Sequence, residues 1–95
     1  MTVLYERTDG FVYRHVAGEH LLVALRRDRT APMFMLTPTA GFLWEQLARP
    51  SSVEMLAESL AAEYEVSREV ATADVAAWLE QLQSLGAVAI HGGSR

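Results

Sequence analysis

The sequence predicts an α+β domain in which a three-stranded antiparallel sheet is followed by three helices. Up to residue 36 the apolar residues occur in short β-branched, aromatic or wholly apolar runs, which are typical of strands. From residue 37 onward they recur with the helical period. Because strands and helices are segregated along the chain, we expect the helices to pack on the sheet. The 95 residues predict a single domain, residues 1–95, with its core within about residues 11–90.

The first two predicted strands form a hairpin. Phe11–Val16 is aromatic and β-branched, residues 17–20 can turn the chain, and Leu21–Leu25 returns as the second strand. Met33–Leu36 is the third strand, because four apolar residues form too short a run for a helix. Its wholly apolar character requires a cover on each face.

The segments outside these strands and the helices carry no assigned element. Residues 1–10 carry mixed charge and end in a turn signal, Asp9–Gly10. Arg26–Pro32 is a polar, charged connection. At the other end, Ala87–Ile90 is a short apolar tail, and we expect His91–Arg95 to fray.

The first helix begins directly after the third strand. Thr37 can serve as its N-cap, and Pro38 suits the first helical position because its missing N–H would be unpaired there anyway. Arg49–Pro50 ends it. Its predicted inner face is Ala40, Leu43, Trp44 and Leu47.

Two further helices follow, each with a start signal. Ser51 and Glu54 form a capping-box pattern for the second helix. Ser67 caps the third, which runs to about Leu85 and ends at Gly86 in the left-handed conformation. The predicted inner stripe of the second helix is Val53, Leu56, Ala57, Leu60 and Tyr64. That of the third is Ala71, Val75, Trp78, Leu82 and Leu85.

The short Glu65–Ser67 turn gives the last two helices helix-turn-helix proportions, so the whole layout is winged-helix-turn-helix-like. One hypothesis is therefore a winged-helix DNA-binding transcriptional regulator. The third helix carries Arg68 but also Glu69, Asp74 and Glu80, a balance that repels phosphates. The basic cluster of Arg26, Arg27 and Arg29 lies in the polar connection and is interrupted by Asp28, as in a solvated loop.

Composition argues against catalysis and against a metal or cofactor site. The chain has no cysteine and no lysine, which removes thiol chemistry, Schiff bases and Walker-type phosphate binding. His15, His20 and His91 are scattered and do not form a zinc pattern. We therefore predict no catalytic residues, no metal ligands and no cofactor.

We also expect a cytoplasmic protein. The sequence shows neither a secretory signal nor an apolar run of the roughly 20 residues that a membrane span needs. Residues 1–36 hold five arginines against four acidic residues, whereas residues 37–95 hold three against eight. The helical half is thus acidic.

One margin of the third helix has mixed character. On a helical wheel Asp74, Trp78, Gln81 and Leu85 fall within about 60° of one another. This is typical of a groove wall, with apolar pockets and polar groups that set register. An ordinary core boundary is an equally weighted interpretation.

Three segments carry a resemblance to a known family: Tyr13–Arg14, the junction Met33–Ala40 running into Phe42–Glu45, and Asp74–Val75 with Trp78–Leu79, Leu82 and Leu85–Gly86. Through them, over roughly Phe11 to Val88, the chain resembles the PqqD family, the leader-peptide-binding domains also called RiPP recognition elements (RiPP, ribosomally synthesised and post-translationally modified peptide). Thr37 stands where the family usually has an asparagine, one N-cap in place of another.

The resemblance implies a non-catalytic peptide chaperone that captures the leader of a precursor peptide and presents it to a modifying enzyme of radical SAM, protease or cyclase type, in RiPP or quinone-cofactor biosynthesis. The leader would add a strand beside Met33–Leu36, with either the pair Met33 and Met35 or the pair Phe34 and Leu36 facing the third helix. Trp78, Leu82 and Leu85 would close the groove, while Asp74 and Gln81 would read a basic or polar leader residue.

Two alternatives to the peptide chaperone remain, the DNA-binding regulator and a purely structural subunit of a larger enzyme. The acidic third helix and the absence of lysine favour the peptide over nucleic acid. We expect neither nucleic acid nor membrane as a partner. Exposed edge strands also permit a homodimer.

Overall fold

A computed structural model of the chain describes residues 2–25 and 33–91. Its elements are β1 (Tyr5–Arg7), β2 (Phe11–Val16), β3 (Glu19–Ala24), β4 (Met33–Leu36), α1 (Pro38–Gln46), α2 (Val53–Tyr64), α3 (Arg68–Leu85) and β5 (Val88–Ile90). Strands β2, β3 and β4 form an antiparallel sheet in that order. The predicted three-stranded sheet followed by three helices is confirmed. The predicted connection Arg26–Pro32, with its arginine cluster, lies outside the described residues.

A second, two-stranded sheet joins the two ends of the chain. Strand β1 pairs antiparallel with β5, and Tyr5 also exchanges both backbone hydrogen bonds with Ser51, at 2.7 and 2.9 Å. The sequence analysis assigned neither segment to a strand, so this second sheet was missed. His91 was predicted to fray, but its N–H donates to the carbonyl of Leu4 and its ring lies 2.9 Å from the Glu6 carboxylate. The rest of that predicted segment, residues 92–95, lies outside the described residues.

The β2–β3 hairpin turns through two residues. Ala17 and Gly18 both have positive φ, +52° and +79°, the geometry of a type I′ turn that suits the twist of paired strands. Glu19 and His20 consequently belong to β3, and the predicted turn over residues 17–20 was two residues too long.

Each helix begins after a hydroxyl-bearing N-cap residue, as predicted, but the N-cap of α2 lies one residue later than predicted. The Thr37 hydroxyl accepts from the Ala40 N–H at 3.1 Å, so the cap of α1 is confirmed. Helix α2 is capped by Ser52, whose hydroxyl accepts from the Met55 N–H, and the predicted Ser51–Glu54 capping box was wrong. The backbone of Ser51 is paired with Tyr5 of β1, so the following residue, Ser52, is the N-cap of α2.

Both ends of α3 are as predicted. Ser67 caps the start by accepting from the Val70 N–H. Gly86 has φ +83°, and the N–H groups of Gly86 and Ala87 donate to the carbonyls of Gln83 and Leu82 in a Schellman motif. Thr8 donates its hydroxyl to the Gly86 carbonyl, so the N-terminal segment secures this end of α3.

The hydrophobic core lies between the β2–β3–β4 sheet and the helices. Its buried members include Leu22 from the sheet and the following helical residues: Leu43, Trp44, Leu47, Leu56, Ala57, Leu60, Ala71, Val75, Leu79 and Leu82. Leu79 is 1% exposed although it was not predicted for the inner stripe, whereas Tyr64 and Leu85 are 40% and 42% exposed. The buried face of α3 is therefore rotated from the predicted one, and Trp78 lies at its margin, half-buried.

Candidate functional site

Strand β4 is an edge strand. It pairs with β3 on one side, and within residues 2–25 and 33–91 no strand pairs with its other side. The alternation of the ladder identifies the backbone groups at the free edge. In a two-residue hairpin the pair that flanks the turn, Val16 and Glu19, is hydrogen-bonded, so alternate β3 residues bond to β2.

The remaining β3 residues, His20 and Leu22 among them, direct their backbone groups toward β4. Their partners there are Leu36 and Phe34. The N–H and C=O groups of Met33 and Met35 consequently point to the free edge, where a further strand can pair with them.

The side chains of β4 divide between its two faces. Those of Phe34 and Leu36 are partly buried and pack against the core, while Met33 and Met35 are 59% and 69% exposed on the outer face. Of the two pairs that the sequence left open, Phe34 and Leu36 face α3. An incoming strand at this edge would direct alternate side chains to the same two faces.

An apolar groove separates β4 from α3. A cavity of about 280 Å³ opens there beneath the free edge. Its lining consists of Leu22, Phe34, Met35, Leu36, Thr37, Ala40, Trp78, Gln81, Leu82 and Leu85. The free backbone groups of β4 and an apolar cavity therefore adjoin each other.

The groove continues between the start of α1 and the middle of α3. A second cavity of about 330 Å³ shares Thr37, Ala40, Trp78 and Gln81 with the first. Its other lining residues are Thr39, Leu43, Leu60, Asp74 and Ala77. Trp78 thus stands at the junction of the two cavities.

The predicted margin of α3 lines this groove. Asp74, Trp78, Gln81 and Leu85 all border one cavity or the other, and so does Leu82. Of the predicted β4 residues, Phe34, Met35 and Leu36 border the groove, whereas Met33 lies outside its lining. Whether these residues bind a peptide stays a prediction.

Sequence reasoning did not assign to the site several residues that line the groove, among them Thr37, Thr39, Ala40 and Ala77. Ala40 and Ala77 both line the second cavity, where their small side chains leave space that larger ones would fill. Ala77 lies three residues after Asp74 and four before Gln81, so the helical period could have placed it on this face. Leu22 could have been found from its inward register on β3.

Trp78 also contains an unpaired polar atom. Its ring packs against the core, and its indole Nε1 is buried without a hydrogen-bond partner among the described residues. A buried donor without an acceptor costs roughly 1–3 kcal/mol.

The described residues include no cluster of three or more His, Cys, Asp or Glu side chains that could hold a metal ion. The rings of His15 and His20 stack across the hairpin with their centroids 4.2 Å apart. The Nδ1 atom of His20 shares a hydrogen bond with the Tyr13 hydroxyl. In the part of the chain that the structure describes, no helix combines the length and apolar character needed to cross a bilayer.

The comparisons with known proteins agree with this architecture. A family model described as "Coenzyme PQQ synthesis protein D (PqqD)" matches residues 19–88. The chain belongs to the PqqD family, which confirms the resemblance seen in the sequence. Among curated proteins, no sequence matches it significantly.

Two solved structures share the fold. One is TbiB1 in complex with the TbiA(beta) leader peptide, with a TM-score of 0.74 and 23% identity, covering 95% of this chain and 99% of TbiB1. The other is the PqqD truncation of Methylobacterium extorquens PqqCD, described as a stand-alone RiPP recognition element. It gives a TM-score of 0.70 and 20% identity, covering 90% of this chain and 88% of the truncation.

Proposed function

We propose that this protein binds the leader of a ribosomally synthesised precursor peptide and presents that peptide to a modifying enzyme. The observation that carries the proposal is the direct adjacency of the free β4 edge and the apolar groove. Membership of the PqqD family and a fold shared with a leader-bound protein support it. The protein itself performs no catalysis and acts in the cytoplasm.

The leader binds as an added strand. Its backbone exchanges hydrogen bonds with Met33 and Met35, which gives affinity without sequence preference. Alternate leader side chains enter the groove and contact Phe34, Leu36 and Trp78, which gives specificity. The other leader side chains lie on the outer face of the sheet.

The outer face of the sheet is the surface that we assign to the receiving enzyme, of radical SAM, protease or cyclase type. Register places there an apolar group beside the charged Arg14 and Glu19: Val12, Val16, Leu21, Val23, Met33 and Met35. Val16, Met33 and Met35 are more than half exposed. A partner that covers this face would contact both the protein and the outward side chains of the leader. It would therefore recognise the complex of the protein with its leader.

The proposal is tested by calorimetric titration with the leader of the precursor encoded beside this gene. Trp78→Ala should weaken binding roughly tenfold to a hundredfold, because it removes a large aromatic contact at the groove junction. Met35→Pro should weaken it about tenfold or more, because it removes an outward N–H and obstructs the edge.

The matched control for Met35→Pro is His15→Pro on β2. His15 also directs its N–H outward, at the opposite edge of the same sheet, so both prolines are compatible with the ladder. His15→Pro should leave leader affinity unchanged, and both variants should show the far-ultraviolet spectrum of the folded protein. Equal losses in the two variants would contradict strand addition at β4.

Two other outcomes would overturn the proposal. No leader affinity together with salt-sensitive binding of duplex DNA would favour a transcriptional regulator. A homodimer that pairs through β4 and persists in the presence of leader would assign the edge to self-association.

A further inference from the structure

The groove does not stop where β4 ends. Beyond Leu36 the second cavity leads to a third, of about 300 Å³, with which it shares Thr39, Leu60 and Asp74. Tyr64 and Val66, at the turn between α2 and α3, complete this third cavity. We call it the acidic compartment. It lies past the four residues of β4, so a peptide longer than the strand reaches it.

The walls of the acidic compartment combine three kinds of surface. Asp74 supplies an exposed carboxylate that makes no ion pair within the described residues. Tyr64 supplies an aromatic ring that is 40% exposed and is held edge-on against Phe42, with centroids 5.7 Å apart. Leu60 and Val66 supply aliphatic surface.

An arginine or lysine side chain matches all three surfaces. Its methylene stem packs on aliphatic groups while its cation meets a carboxylate or an aromatic face. An acidic ligand side chain would instead be repelled by Asp74, and a purely apolar one would leave the carboxylate partly desolvated. We propose that the acidic compartment binds a basic side chain of the leader, an inference that rests on the proposed function.

The direction of the sheet places this residue within the leader. Strand β4 runs from Met33 toward Leu36, and the acidic compartment lies beyond its C-terminal end. A leader strand that continues the antiparallel pattern runs the opposite way, so its N-terminal part lies over the compartment.

The spacing follows from the helix that lines both parts of the groove. Trp78, at the junction, and Asp74 are one helical turn apart, about 6 Å along the axis, which an extended chain covers in roughly two residues. The basic residue therefore lies about two to four residues N-terminal to the strand-forming segment. The C-terminal part of the leader leaves past Met33, toward the segment that is modified.

The experiment is an mRNA-display selection of random peptides of about fifteen residues, long enough to span the groove, on the immobilised wild-type protein. The same library is selected on Asp74→Asn and on Glu80→Gln. Glu80 is an exposed acidic residue on the same helix, and it borders none of the three cavities. The Glu80→Gln variant therefore removes the same charge as Asp74→Asn but away from the groove. Thermal melting establishes that both variants are folded.

We expect the wild type to enrich peptides with alternating apolar residues preceded by arginine or lysine. Asp74→Asn should lose the basic preference and Glu80→Gln should keep it. For one enriched peptide, replacing the arginine with citrulline should weaken binding to the wild type about two- to fivefold at low salt, a range typical of exposed ion pairs. The same replacement should leave binding to Asp74→Asn unchanged.

The outcomes separate this inference from the proposed function. Enrichment of apolar strands without a basic residue, or with one that Asp74→Asn also selects, overturns the inference and leaves the function standing. A basic residue on the C-terminal side overturns the assigned direction. No enrichment of any peptide by the wild type contradicts both.

Discussion

The Tyr13 hydroxyl lies 2.6 Å from Nδ1 of His20, and this pair fills the space where α1 crosses the sheet. Gly41 of α1 approaches both side chains so closely that a Cβ built there would lie 2.5 Å from His20 Nδ1 and 3.1 Å from the Tyr13 hydroxyl. The glycine therefore permits α1 to seat on the hairpin. Because Thr37 and Ala40 belong to α1 or cap it, the same contact fixes one wall of the groove.

Replacing Gly41 with alanine should destabilise the fold by roughly 1–3 kcal/mol, because the added methyl group overpacks a closed contact. Urea unfolding measures the change. Gly10→Ala, in a turn where nothing lies within 4 Å of a Cβ, is the control for the added methyl group alone. Because alanine in place of glycine inside a helix gains about 1 kcal/mol, a Gly41→Ala variant more stable than the wild type by that amount would mean that α1 is not held against this pair.

The same Tyr13 hydroxyl should make stability depend on alkaline pH. Burial raises the pKa of Tyr13 above its ordinary 10.0, and the nearby Glu45 carboxylate adds to the rise. The unfolded chain therefore ionises first, so this contribution is complete below pH 10 and is lost as the pH rises through the folded-state pKa. The stability difference between wild type and Tyr13→Phe should shrink from about pH 9 to pH 11, and a constant difference would contradict this.

The two tryptophans should report differently on a bound leader. Trp44 is 2% exposed in the core, whereas Trp78 is half-buried at the groove junction. In a Trp44→Phe background, leader binding should shift the Trp78 emission to shorter wavelength, because the peptide covers the ring. In a Trp78→Phe background the Trp44 emission should not move. Equal shifts in both would indicate a global change instead of occupation of the groove.

The contribution of β5 to stability should come mainly from its N-terminal end. Val88 is 2% exposed and packs in the core, whereas Ile90, two residues later on the same strand, is 46% exposed. Val88→Ala should cost about 1–3 kcal/mol and Ile90→Ala less than about 1 kcal/mol in urea unfolding. Comparable small losses would mean that β5 is only loosely attached.

Local signals explain why most of the fold could be predicted. Helix α1 was recognised from a cap and a proline, and α3 from Ser67 and Gly86, all of which act within a few residues. Strands β1 and β5 were missed because each has three residues, too few for a period, and their partners are more than eighty residues apart. The choice of Ser52 over its neighbour as N-cap depends on another distant pairing, the bridge between Ser51 and Tyr5 of β1.

Part of the groove could be predicted because the spacing of residues on one helix is also a local signal. The spacing of Asp74, Trp78 and Gln81 identifies one face of a helix, and the structure places that face on the cavity. Which face of α3 turns to the core depends on how α1 and the sheet approach it. The predicted inner stripe therefore left out the buried Leu79 and included the exposed Leu85. The helical period alone does not contain that information.

Residue-resolved amide hydrogen exchange with and without the neighbouring precursor's leader tests the central claim most directly. The Met35 amide points to the free edge of β4 and should exchange at least about tenfold more slowly in the complex, because it acquires a hydrogen bond there. The Phe34 amide already donates to β3, and the Tyr13 amide faces the opposite edge of the sheet, so both serve as internal controls. Slower exchange at Met35 with Tyr13 unchanged is the predicted result. A leader that binds tightly while Met35 exchanges as fast as in the free protein would contradict strand addition at β4.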